Sequence, residues 1–231
     1  MAEAARPRVQ SKAQRTRAAI LAAAEHVFAE RGFAASRLED VAARVGIRRA
    51  SIVYHFRDKR ELYDAVLEEA LGALLAALAP VLLGPGPLAA RIEGAVGAFL
   101  DALAARPALA RLLLREAADA GAGPAALAAH LAPFHALARA AIARERSERR
   151  PARLAVDPLP LATTIAGATL FFVAGMPALM PGRAGDPREP RRLAAQRREL
   201  IAITQRLLEP PRAPRRLPRA PRQPPHRRRR P

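Results

Sequence analysis

Apolar positions along the chain recur every three or four residues, and no segment alternates in the two-residue rhythm of a strand. Ile20, Ala24, Val27 and Phe28 form one stripe of a helix that begins near Thr16. Arg31-Gly32-Phe33 closes it, with Gly32 as the left-handed cap. Ser36 and Glu39 have the spacing of a capping box. They open a short helix carrying Leu38, Val41, Ala42 and Val45, which Gly46 ends. A third helix covers about Arg49 to His55, with Ile52 and Phe56 turned inward. Asp58 caps a longer one that reaches about Ala79, before Pro80 and the run 84–87, GPGP. Further helices are expected at about 88–105, 108–120, 125–149, 158–175 and 190–208. The fold class is therefore all-α, about nine helices. Residues 1–14 read as a flexible arm and 210–231, almost wholly Pro and Arg, as a disordered tail.

Charge separates these regions. The chain has 39 Lys+Arg against 21 Asp+Glu, a formal net charge of +18. Residues 1–63 carry net +6, residues 64–209 net +3, and residues 210–231 net +9. The middle is thus an ordinary soluble domain between basic ends, and such ends attract polyanions. With no cysteine in 231 residues, disulfides, thiolate metal sites and cysteine nucleophiles are excluded. The N-terminus has no apolar run behind its cations, so it does not read as a secretory signal. No nucleophile–base pair, metal cluster or phosphate loop stands out; catalytic residues, metal ligands and cofactors are all expected to be none.

The segment 36–56 meets the requirements of a helix-turn-helix. Ala42 is small where two helices approach, Gly46 supplies the left-handed turn, and Ile47 and Ile52 dock the second helix. The stretch from about Arg15 to Leu67 resembles the DNA-binding domain of TetR/AcrR-type bacterial regulators. The matching residues are Arg17–Leu21, Ala24, Phe28, Arg31–Phe33, Asp40–Ala42, Val45–Ile47, Ser51, Ile52, Tyr54–Phe56, Lys59 and Leu62. Val53 is a departure, since the family often has tyrosine there.

A recognition helix is held over the major groove by phosphate contacts and reads base edges. Arg48, Arg49 and Ala50, at its N-terminal end, are the expected base readers. Arginine suits guanine and alanine a thymine methyl. Thr16, Arg17, Ser36, Ser51, Tyr54, His55 and Lys59 are the expected phosphate contacts. For His55 the competing reading is a buried structural histidine, and for the arginines a solvated surface. The domain is assigned to residues 15–63.

The resemblance implies a homodimer on a palindromic double-stranded operator in the bacterial cytoplasm, at the nucleoid. It also implies a helical ligand-binding and dimerisation domain, residues 64–209, that takes a small effector. Residues 158–182 carry no charge. Thr163, Gly167, Leu170 and Phe172, with Leu193, Leu200, Ile203 and Leu207, would form a dimeric four-helix bundle. The competing reading, a membrane span, is opposed by Pro158, Pro160, Pro177 and Pro181. The expected lining of a mostly apolar pocket is Phe99, Leu103, Leu112, Leu131, Phe134, His135, Phe171 and Met176; the alternative is that they fill the core. The expected function is a repressor released from its operator by a ligand. The alternative is a non-specific nucleic-acid binder driven by charge alone.

Overall fold

A computed structural model describes residues 11–118, 124–148, 158–182 and 185–208, and every regular element among them is helical. The expected tail and most of the expected arm lie outside the described residues. Helices α1 (Lys12–Ala35), α2 (Leu38–Val45), α3 (Arg49–His55) and α4 (Lys59–Leu82) build the N-terminal part. Then follow α5 (Leu88–Ala105), α6 (Pro107–Ala118), α7 (Pro124–Glu148) and α8 (Pro158–Leu170). The axis of α8 continues through a π turn (Phe171–Gly175) and a last turn (Met176–Leu179), and α9 (Pro190–Leu208) closes the fold.

Two starts and two stops differ from expectation; one of the stops is that of α1, which runs to Ala35 with Gly32 (φ 77°, ψ 168°) as a kink inside it and not as its cap. Helix α1 begins at Lys12, not near Thr16, because Ser11 and Gln14 cap each other: the Gln14 N–H donates to Ser11 Oγ (3.2 Å) and the Ser11 N–H to Gln14 Oε1 (2.8 Å). Ser36 does not cap α2. Its hydroxyl is buried and donates to the carbonyls of Gly32 (2.6 Å) and Val27 (3.3 Å). The reciprocal bond moves one residue on, with the Arg37 N–H donating to the Asp40 carboxylate at 3.1 Å. Helix α4 runs past Pro80 to Leu82. Proline removes one backbone donor, and one residue after the helix the Leu83 N–H still reaches the Ala79 carbonyl at 2.9 Å.

The N-terminal core draws on every surrounding helix. Ile20, Val27 and Phe28 of α1 meet Val41 and Ala42 of α2, Ile52 of α3, Phe56, and Leu62 and Val66 of α4. Ala108 and Leu112 of α6 complete this same core. Farther along α4, Leu71, Leu74 and Leu78 pack with Ala95 of α5 and Leu137 of α7. Leu103, Ala104, Leu109 and Ala110 pack with Val173 and Ala174 of the π turn. Val96 and Leu100 hold Leu161 and Ile165 of α8 and Leu200 of α9. By length and hydropathy two helices could cross a membrane, Lys59–Leu82 and Pro160–Leu179. In α4, buried leucines recur with Val66 at helical spacing, which marks it as a core helix joining both parts.

Candidate nucleic-acid interface

Gly46 sets the angle between α2 and α3. It sits at φ 78° and ψ 33°, the left-handed region that side chains avoid. Its N–H and that of Ile47 both donate to the Ala42 carbonyl at 3.0 Å. Ile52 and Phe56 are buried and pin α3 against α1 and α4. The opposite face of α3 is therefore forced outward. Arg48, Arg49, Ala50, Val53 and Tyr54 are all exposed, Tyr54 to 84% and Val53 to 43%.

The groups around α3 divide into those free to meet a polyanion and those already committed. Arg49 pairs with Glu39 at 2.9 Å, but both side chains are mostly exposed. Such a pair is worth under ~1 kcal/mol and yields readily to a stronger anion. The Arg17 guanidinium lies 5.0 Å over the Phe56 ring, beside the end of α3. His55 is half-buried, its ring edge-on to Tyr54 at 5.2 Å. Thr16 is also half-buried and donates to the Lys12 carbonyl at 3.0 Å. Ser51 is half-buried, its N–H bonded to the Arg48 carbonyl at 2.9 Å.

Two expected phosphate contacts are corrected. Ser36 is buried with its hydroxyl turned to interior carbonyls. Lys59 Nζ donates to the carbonyls of Phe33 (2.7 Å), Ala34 (3.1 Å) and Ser36 (3.0 Å) and stands 4.5 Å from the Phe33 ring centre. Its charge clamps the end of α1. No local pattern marks this clamp, whereas helical spacing from Arg49 places Val53 on the outward face of α3.

The C-terminal expectations fare differently. The eight expected pocket residues fall in more than one apolar cluster. Leu112 belongs to the N-terminal core, Leu103 to the packing under the π turn, and Phe134 to the α4–α7 contact. Phe99 spans three clusters. His135 is exposed and Phe171 is 46% exposed; Leu131 and Met176 are half-buried. Of the expected dimer residues, Leu200 is buried in the core with α5, while Leu170, Phe172, Leu193 and Ile203 are half-buried. Thr163, Gly167 and Leu207 are exposed. Phe171 and Phe172 thus exchange places: Phe171 faces out and Phe172 packs inward. The outward face of α8 carries Ala162, Thr163, Thr164 and Gly167, without a charge. Among the described residues, no three acidic, histidine or cysteine side chains lie close enough to hold a metal ion.

Comparison with known proteins meets this geometry at the same residues. Residues 20–66 match the family model described as bacterial regulatory proteins, tetR family. The HTH-type transcriptional repressor BepR of Brucella suis biovar 1 is 41% identical over 63 residues, 27% of this chain and 30% of that protein. The HTH-type transcriptional regulator TtgR of Pseudomonas putida is 44% identical over 61 residues, 26% of this chain and 29% of that protein. The chain thus matches under a third of the length of these relatives. In fold it is similar to the transcriptional regulator FadR of Bacillus subtilis, solved in complex with stearoyl-CoA. That likeness has a TM-score of 0.63 at 16% identity, covering 81% of this chain and 96% of the other.

Proposed function

We propose that this chain, a member of the tetR family of bacterial regulatory proteins, is a sequence-specific repressor. It binds a palindromic operator as a homodimer and releases it when a small, mostly apolar ligand enters the C-terminal helices. The observation that carries the reading is the outward face of α3. Ile52 and Phe56 fix its back, so Arg48, Arg49 and Ala50 stand in solvent, Arg49 held only by its exposed pair with Glu39. That is the arrangement needed for an α-helix to enter the major groove.

The homodimer is supported by the uncharged outer face of α8, where only 22% of the window Pro160–Leu179 is buried within one chain. A second copy would cover it in a four-helix arrangement with α9. The ligand reading draws on the stearoyl-CoA complex of the Bacillus subtilis protein. An acyl chain is the kind of group that a mostly apolar site among the C-terminal helices would accept. The setting is the bacterial cytoplasm, at the nucleoid.

Selection of genomic fragments by the purified chain tests the reading, with and without residues 210–231, at near-physiological salt. One enriched palindrome retained by the shortened chain is the expected result. Diffuse binding that vanishes with the tail would instead favour charge-driven, non-specific binding.

A further inference from the structure

We propose that Val53 is a base-reading residue, its methyl groups packing on the C5-methyl of a thymine in the major groove. The assignment rests on α3 being the recognition helix. Successive residues of an α-helix turn by about 100°. With Arg49 at the origin, Val53 lies at about 40°, Ala50 at about 100° and Tyr54 at about 140°. The exposed residues of α3 therefore form one arc, with Val53 and Ala50 at its centre and Arg49 and Tyr54 at its edges. Ile52, at about −60°, points into the core and is fully buried.

Valine has no donor or acceptor beyond its backbone. It cannot hold a phosphate or read a base heteroatom. Yet it stands 43% exposed at the centre of the face presented to DNA, and burial of its methyls is favourable wherever an apolar partner exists. In the major groove that partner is the thymine methyl. The edges of the arc suit the other tasks. Arg49 reaches a guanine, and Tyr54, 84% exposed, reaches the backbone with its hydroxyl. Four residues of helix rise about 6 Å, close to two base steps, so the thymine read by Val53 is expected within about two steps of the guanine read by Arg49.

The test uses the full chain and the operator it selects. Each thymine of the half-site is replaced by deoxyuridine in both half-sites, which removes only the methyl. Binding is measured for the unaltered chain and for Val53→Ala, a change that an exposed helical position tolerates. At one thymine the expected result is a roughly four-fold weakening per half-site for the unaltered chain, the worth of one buried methyl. The same deoxyuridine has no effect on Val53→Ala. If every deoxyuridine weakens both proteins by the same factor, or none weakens the unaltered chain, the assignment is overturned while α3 remains the reading helix. If no sequence is selected at all, α3 is not a reading helix and the assignment falls with it. The deoxyuridine series on the unaltered chain decides independently of any variant's folding.

Discussion

Arg106, in the turn between α5 and α6, holds two carboxylates from different helices. Its Nη2 donates to Glu25 of α1 and to Glu69 of α4, the latter at 3.0 Å. Burial works against the Arg106 charge, yet the hydrogen bonds to Glu25 and Glu69 outweigh it and hold the guanidinium pKa above its ordinary value. The Glu25 side chain is 7% exposed and that of Arg106 31%. Arg106→Met would strand the Glu25 carboxylate in the interior. Removing one partner of a fully buried pair costs about 3–5 kcal/mol. Because water reaches Arg106, about 2–3 kcal/mol is the better figure, and the exposed Glu69 pair adds under ~1 kcal/mol. For a chain of this size that is a fall in Tm of about 5–10 °C. Circular-dichroism melts of Arg106→Met, Glu25→Gln and the double variant form the assay. The double variant should recover much of the loss, since no charge is then left buried. If Arg106→Met melts within a degree of the unaltered chain, or the double variant loses the sum of the singles, the clasp is not an interaction of this strength.

Lys59→Met should lower stability in urea by about 2 kcal/mol through the loss of charged hydrogen bonds to three carbonyls; unchanged stability with weakened operator binding would restore Lys59 to the phosphate contacts. The Tyr63 hydroxyl is buried and finds no acceptor in hydrogen-bonding geometry, and burial, with the Glu116 carboxylate nearby, holds its proton on above the ordinary phenol range. Tyr63→Phe should therefore melt at the same temperature or higher, keeping the edge-on contacts to Phe28 and Phe33 at 5.0 Å; a clear fall would mean that Glu116 accepts from this hydroxyl. Asp58 caps α4, and the hydrogen bond from the Glu61 N–H is the main cause of its lowered pKa. A carboxylate lowered in the folded state contributes stability that is complete above the ordinary aspartate value, near about 4, and is lost as pH falls through the lowered value. Acid titration of stability should accordingly lose this component in Asp58→Asn, and an identical profile in the two proteins would argue against the cap.

The N-terminal part was legible because its determinants are local. A stripe of Ile20, Ala24, Val27 and Phe28, a glycine at 46 and a cap at Asp58 each act within a few residues. Misreadings arose where a distant group competed. Ser36 has the spacing of a cap, but interior carbonyls of α1 claim its hydroxyl. Lys59 has the charge for a phosphate, but the exposed carbonyl end of α1 lies within its reach. In the C-terminal part the absence of charge over 158–182 was visible, yet neighbouring phenylalanines 171 and 172 offer no local cue to which faces out. The π turn that contains both rotates the faces away from a regular α pattern. Leucines of a pocket and leucines of a core look alike in an alanine-rich chain, and the eight expected lining residues fall in more than one apolar cluster.

The same packing would couple the two proposed functions in one chain. Ala108 and Leu112 of α6 lie in the core that positions α3, so the reading helix has no core of its own that excludes the C-terminal helices. Two arginines reinforce this at either end of α6. Arg106 grips Glu25, and Arg115 Nη2 donates to the Glu30 carbonyl at 3.2 Å, both on α1. Packed cores move as blocks and do not deform smoothly. A displacement of α6 large enough to accommodate a ligand must therefore carry α1 with it or break these contacts. Because Phe56 and Ile52 tie α3 to α1, a tilt of α1 reorients the face bearing Arg49, Ala50 and Val53. In the proposed dimer the two faces would have to match half-sites one helical turn apart, so a small tilt on each side would suffice to lose the operator.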